Sequence, residues 1–142
     1  MSIARDERAG LAADLSRLGP EAPTLCKGWM ARDLLTHLLL RENDPLAIPG
    51  MAVSVFDAVT RARADKLEAS GSFKDLVARF AHGPGRFSVF RIPGLDSAAN
   101  SIEYFIHHED LLRAQPDWHP RELGQRVELR LAGIIRKYGR AL

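Results

Sequence analysis

Residues 31–42 read Ala31-Arg32-Asp33-Leu34-Leu35-Thr36-His37-Leu38-Leu39-Leu40-Arg41-Glu42, so rich in leucine that a helix built from them has little polar surface left. A helix apolar on nearly every side must be packed on several sides, so the chain has to fold as several elements gathered around this one. His37, in the middle of the run, is expected to be at least partly buried.

The rest of the sequence supplies those elements as further helices, with no convincing strand. Residues 2–18 place Ala4, Leu11, Leu15 and Leu18 at helical spacing, carry Asp6 and Glu7 near the start, and are stopped by Gly19-Pro20. The leucine-rich helix starts near residue 30 and ends at Asn43-Asp44-Pro45. Residues 51–69 repeat apolar positions at Val55, Val59 and Ala62 and end at Ser70-Gly71. Ser72-Phe73-Lys74-Asp75 resembles a capping box opening a short helix through Phe80. Residues 82–95 hold two Pro-Gly signals around an apolar centre and read as an ordered loop. Asp96 or Ser97 is placed to cap a helix that ends near Gln115-Pro116. A last helix opens at Pro120, presents Val127, Leu131, Ile134 and Tyr138 on one face, and runs almost to Leu142. The fold class is therefore all-α, an antiparallel helical bundle, the architecture in which metal and cofactor sites are built from side chains on facing helices.

The helix over 96–115 carries an unusual stripe. Glu103 and His107 lie four residues apart, one turn above each other, and Asp110 and Ala114 continue the line. Ile102 and Ile106 flank it on one side and Tyr104 and Leu111 on the other, so the polar stripe is a seam between apolar residues. Buried carboxylate and imidazole groups are costly unless paired, hydrogen-bonded or bound to metal. His37 is the partner of choice, and His37, Glu103 and His107 together make a two-histidine, one-carboxylate metal set. His108 falls with Ser101, Phe105 and Leu112 on the arc away from Glu103 and is left out. Spacing alone leaves other readings open: a Glu/His pair of this kind can simply hydrogen-bond, and a histidine on an apolar helix can be a satisfied core residue.

At 142 residues the chain is read as one domain, 1–142, able to bury a core without disulfides. Lys+Arg 20 against Asp+Glu 18 leave a net charge of +2, with basic and acidic residues interspersed, so no nucleic-acid footprint is expected. The sequence pI of about 9.0 reflects that small surplus. No apolar run approaches the ~20 residues needed to span a bilayer, and the charged start is unlike a signal peptide, so no membrane association and a cytoplasmic location are expected. One cysteine, Cys26, excludes an internal disulfide and a cysteine-only zinc site. It is read as a small packing residue, with thiolate formation beside Lys27 as the alternative. His82 and His119 sit in loop-like, Pro- or Gly-flanked segments and are not assigned to the metal. Trp29 and Trp118 pack helix ends or border a ligand pocket.

Leu25-Cys26-Lys27-Gly28-Trp29-Met30-Ala31-Arg32-Asp33-Leu34 followed by His37, together with Glu103-Tyr104-Phe105-Ile106-His107-His108-Glu109-Asp110, resembles the actinobacterial metal-binding branch of the mycothiol-dependent maleylpyruvate isomerase-like proteins. These belong to the DinB-like superfamily of four-helix bundles, here with an additional short helix and loops. The resemblance implies a divalent metal, usually zinc, held by residues matching His37, Glu103 and His107. It also implies a low-molecular-weight thiol, mycothiol, as cosubstrate, with an electrophilic small molecule as the second partner and a homodimer as a candidate assembly. No catalytic or cofactor-binding residue beyond the metal set is named by it.

Two departures stand out. The threonine usual after Gly-Trp is Met30 here, which removes a capping hydroxyl worth ~1 kcal/mol at the start of the His37 helix unless another group substitutes. The chain also ends soon after its last helix where relatives often continue, which is expected to remove part of a substrate pocket. Three protein ligands leave zinc an open position, as in catalytic sites, which favours thiol-dependent transfer or isomerisation. The alternatives are a non-catalytic metal-binding or stress-associated bundle, and iron(II) chemistry on the same ligands. Asp110 is read either as a group orienting a ligand histidine or as an ion-pair partner of Arg41 or Arg113. Arg41 either receives an anionic substrate or is a solvated surface residue.

Overall fold

In the computed structural model residues 2–44, 57–85 and 95–138 are described. They form α1 (Ile3–Leu18), α2 (Ala31–Asn43), α3 (Asp57–Glu68), α4 (Phe73–His82), α5 (Leu95–Arg113) and α6 (Gln125–Tyr138), with no strand among them beyond one isolated bridge between Pro23 and Met30. This is the all-helical, DinB-like bundle that the resemblance implies. No helix of the described residues is long and apolar enough to cross a membrane.

The leucine-rich helix lies where its composition demands. Leu34, Leu35, Leu38 and Leu39 are fully or almost fully buried, and Ala31, Thr36, Leu40 and Glu42 are buried with them. They join Leu11 and Leu15 of α1, Phe80 of α4, and Tyr104 and Leu111 of α5 in one core. Each fully buried leucine contributes ~1.5–3 kcal/mol of transfer free energy. α1 packs against α5 and α4, α2 against α4 and α3, and α5 against α6. Among the described residues α2 and α5 are not a closely packed pair; they meet through long polar side chains, and that gap is where the site lies.

Helix ends follow local chemistry. α1 stops at Gly19, whose φ of +86° places it where a side chain is strained and whose N–H bonds to the Leu15 carbonyl. Ser72 and Asp75 exchange both bonds of a capping box at the start of α4, which runs two residues beyond the expected Phe80. At α2 the missing threonine hydroxyl is replaced from the preceding loop. The N–H groups of Ala31 and Arg32 donate to the Ala22 and Pro20 carbonyls at 2.8 and 3.1 Å, and the Asp33 carboxylate accepts from Met30 N–H at 2.8 Å.

Several expected boundaries move. α5 begins at Leu95, so Asp96 and Ser97 lie inside its first turn and not at the position before it. α6 begins at Gln125 and not at Pro120, because Arg121 is drawn inward onto Glu7 and Glu109 and Gly124, at φ +75°, supplies the turn into the helix. On α3, Val59 is 46% exposed and Ala62 is exposed too, so that face is not the packing face; Leu67 reaches the core instead. Residues 51–56, with Val55, most of the expected 82–95 loop and residues 139–142 lie outside the described residues.

Candidate metal centre between α2 and α5

α2 brings His37 and α5 brings Glu103 and His107 to one point. His37 Nε2 lies 3.2 Å and His107 Nε2 3.4 Å from the same Glu103 oxygen, Oε1. The three donor atoms all fall within 4.8 Å of one another. Tetrahedral zinc with Zn–N and Zn–O bonds of ~2.0–2.1 Å places such donors ~3.3 Å apart, so the two distances measured to Glu103 fit an ion at the centre.

The other nitrogen of His107 also has a carboxylate: Asp110 Oδ2 lies 3.2 Å from Nδ1. A carboxylate only accepts, so a proton on Nδ1 donates to Asp110, and the Glu103 carboxylate facing Nε2 is satisfied by a second ring proton or by a metal cation. Of the roles open to Asp110, orienting His107 is the one observed; Arg113 pairs with Glu109 at 2.7 Å and Arg41 turns to Glu103.

Arg41 is not a solvated surface residue. Its side chain is 16% exposed, Nε stands 3.4 Å from Glu103 Oε1, and Nη1 donates to Asn100 Oδ1 at 2.5 Å. Burial pushes the Glu103 carboxyl up, but the hydrogen bonds from His107 and His37 and the charge of Arg41 outweigh it and hold the group well below the usual carboxylate range. Glu103 is therefore held as an anion near neutral pH. Trp29 borders the site as well as closing the end of α2, its ring centroid 5.1 Å from that of His37. Trp118 is covered by the Arg113 guanidinium at 4.7 Å, away from the centre.

The seam on α5 is open at one position. Ile102, Tyr104 and Leu111 are in the core, but Ile106 is 44% exposed, so the stripe is half-buried and accessible. His82 and His119 are exposed, His119 Nδ1 lying 3.2 Å from the Asp117 carbonyl, and neither enters the centre.

Two features were missed in the sequence. Cys26, read as a packing residue, is half-buried at the edge of the centre, Sγ donating to Asp110 Oδ2 at 3.3 Å and lying 3.8 Å from His107 Nδ1. Burial first, and then the Asp110 carboxylate, push its thiol up to about 11, so Lys27 does not make it a thiolate. The second is a closed charge cluster on the other side of α5. His108, 3% exposed, places Nδ1 2.9 Å from Glu7 Oε2 and Nε2 2.9 Å from Asp14 Oδ2, with Arg121 Nη1 also on Glu7 at 3.1 Å. Glu7, Gly10 and Asp14 recur at three and four residues on α1, a polar line on a helix face that had to be buried, and that was the available signal.

With this geometry in place, comparison with known proteins gives one match. The family model described as the mycothiol maleylpyruvate isomerase N-terminal domain matches residues 2–89, more than half of the chain. That segment holds His37; Glu103 and His107 lie beyond it. No curated protein and no solved structure matches the chain.

Proposed function

The chain belongs to the mycothiol maleylpyruvate isomerase N-terminal domain family, and from that premise we propose that His37, Glu103 and His107 hold a divalent metal, zinc first, at a centre that serves a low-molecular-weight thiol such as mycothiol. The reaction class is transfer of that thiol to an electrophilic small molecule, or isomerisation through it. The observation that carries the reading is the convergence of His37 Nε2 and His107 Nε2 on one carboxylate oxygen, Glu103 Oε1, at 3.2 and 3.4 Å.

Bound by three protein ligands, zinc keeps a position for a further ligand and lowers the pKa of a water or thiol placed there. The protein's own side chains do the rest. Asp110 accepts at His107 Nδ1, Arg41, itself bonded to Asn100, helps hold Glu103 in its ionised form beside both histidines, and Trp29 covers the His37 ring. The exposed flank at Ile106 leaves a way in for a small molecule.

Metal content by plasma mass spectrometry, on protein purified without affinity tag or chelator, tests the centre. At least one zinc equivalent is expected in the wild type, a loss of one equivalent in His37→Ala and a near-complete loss in His107→Ala. Absence of metal after reconstitution with zinc would overturn the reading. For the thiol, the alkylation rate of an added low-molecular-weight thiol near neutral pH should rise with the zinc-loaded wild type and not with His37→Ala. Metal without that effect would leave a non-catalytic metal-binding bundle.

A further inference from the structure

The His107 imidazole has two nitrogens, and each faces its own set of donors. Nε2 faces His37 and Glu103. On the opposite edge Nδ1 lies 3.2 Å from Asp110 Oδ2 and 3.8 Å from Cys26 Sγ, and Sγ and Oδ2 are 3.3 Å apart. From these distances we propose a second cation position, distinct from the His37 centre, in which Cys26 Sγ, His107 Nδ1 and Asp110 Oδ2 hold a thiophilic divalent ion.

Donor spacing supports it. With Zn–S of ~2.3 Å and Zn–N or Zn–O of ~2.0–2.1 Å, a tetrahedral ion sets its sulfur ~3.5 Å from each lighter donor and the nitrogen ~3.3 Å from the oxygen. Each of the three measured separations agrees to within ~0.3 Å. One nitrogen, one oxygen and one sulfur donor suit zinc-like ions and favour softer ones over magnesium or calcium.

The loop that carries Cys26 is fixed before any ion arrives. Leu25 N–H donates to the carbonyl of Asp110 itself at 3.0 Å, and Gln115 Nε2 donates to the Pro23 carbonyl at 3.0 Å, so the loop is tied at two points just before Cys26 to the C-terminal end of α5 and the residues after it. Within it, Trp29 N–H closes a turn onto the Cys26 carbonyl and Thr24 Oγ1 donates to the Trp29 carbonyl at 2.9 Å. Gly28, at φ +80° with open space around its Cα, makes that turn without strain. Donors held this way need little rearrangement to bind.

The proton balance is simple. In the ion-free form the Nδ1 proton and the thiol proton both point at Asp110 Oδ2. An incoming divalent ion takes the place of those two protons, which leave to solvent, and the His107 ring then bridges the two cation positions through its two nitrogens. Because both protons must leave, this position fills after the His37 centre.

Cobalt(II) titration of the full chain tests the proposal, since a thiolate ligand adds a charge-transfer band in the near ultraviolet that nitrogen and oxygen ligands do not. The wild type is expected to bind two equivalents, with the thiolate band growing on the second. Cys26→Ser, a near-isosteric change on a half-buried loop, should bind one equivalent with no such band and keep its far-ultraviolet circular dichroism. His37→Ala should lose the first equivalent and retain the band. Absence of the band through two added equivalents of the wild type would overturn the proposal. So would a band complete at a single equivalent and lost in His37→Ala, which would make Cys26 a ligand of the one centre. A single equivalent carrying the band in both proteins would remove the His37 centre and keep this position, so the two readings fail separately.

Discussion

His107 and His108 are neighbours in the chain and serve opposite ends. His108 points into the interface of α1 and α5, is 3% exposed, and has a carboxylate on each ring nitrogen. Arg121 Nη1 stands 3.0 Å from Nδ1 as well, so the ring is enclosed by charged partners. His107, about 100° round the helix, faces the looser gap between α2 and α5, where one nitrogen is held by Asp110 and the other confronts Glu103. The first ring ties α1 to α5; the second meets His37 at one carboxylate oxygen, Glu103 Oε1, so that three donors converge. Two groups of the same type are thus set in different surroundings according to which helix gap they enter.

Replacing each in turn gives the sharpest contrast. His107→Ala is expected to abolish zinc binding while leaving the core intact, because the lost ring was only half-buried. His108→Ala should keep the metal and lose stability. It deprives two carboxylates of their shared partner, and by analogy with other broken buried pairs the cost is ~3 kcal/mol, read as a lower urea midpoint. Metal loss in His108→Ala with unchanged stability would break the distinction.

Asp110→Asn comes next. An amide in place of the carboxylate no longer compels Nδ1 to carry the proton, so the lone pair of His107 is free to move away from the Glu103 side. Changes of this kind beside metal ligands cost 10–100-fold in affinity, measurable by competition with a chromophoric chelator. An unchanged affinity would show that Asp110 does not orient the ring.

How much of this was legible depended on periodicity and failed where loops mattered. The stripe Glu103, His107, Asp110 and the buried leucines around His37 follow from helical spacing, so the choice of His107 over His108 could be made before any coordinates. Helical spacing also separates residues by face but says nothing of what crosses a gap from a loop. Cys26 precedes α2 and reaches the centre only because Leu25 is bonded to Asp110 across 85 positions of sequence, 110 less 25, and no local pattern encodes that bond. The start of α6 was misplaced for a similar reason: Pro120 is a good first residue of a helix, but Arg121 is claimed by Glu7 from the far end of the chain. Ile106 looked like one wall of a buried seam because its own helix cannot show that no described helix covers it.

Gly10 sharpens the comparison on the His108 side. In a helix interior alanine is favoured over glycine by ~1 kcal/mol, so Gly10→Ala would ordinarily stabilise α1. Here a Cβ at this position would stand 2.9 Å from His108 Cε1, closer than real contacts allow. The ring is pinned through both nitrogens and is unable to retreat, and overpacking costs ~1–3 kcal/mol. A net destabilisation of about 1 kcal/mol is expected in urea denaturation. The same substitution combined with His108→Ala should turn stabilising, since the obstructing ring is gone.

The smallest effect lies in the acid limb of stability. Burial works to raise the Asp14 carboxyl, but the hydrogen bonds from His108 and Arg17 and their charges overcome it and set it below its ordinary 3.8. A carboxyl held lower in the folded state than in the unfolded chain contributes stability that is present above the unfolded value. As pH falls below about 3.8 the unfolded chain takes up its proton first, and the contribution drains away until the lowered folded value is passed. Asp14 is partly exposed, which screens the effect and keeps it modest. Urea midpoints compared at about pH 6 and about pH 3 should therefore drop less in Asp14→Asn than in the wild type, because the variant has already lost the contribution that acid removes. An equal drop in both proteins would mean that the His108 cluster holds α1 to α5 without drawing on the Asp14 charge, and the contrast with the neighbouring His107 centre would then rest on Glu7 and Arg121 alone.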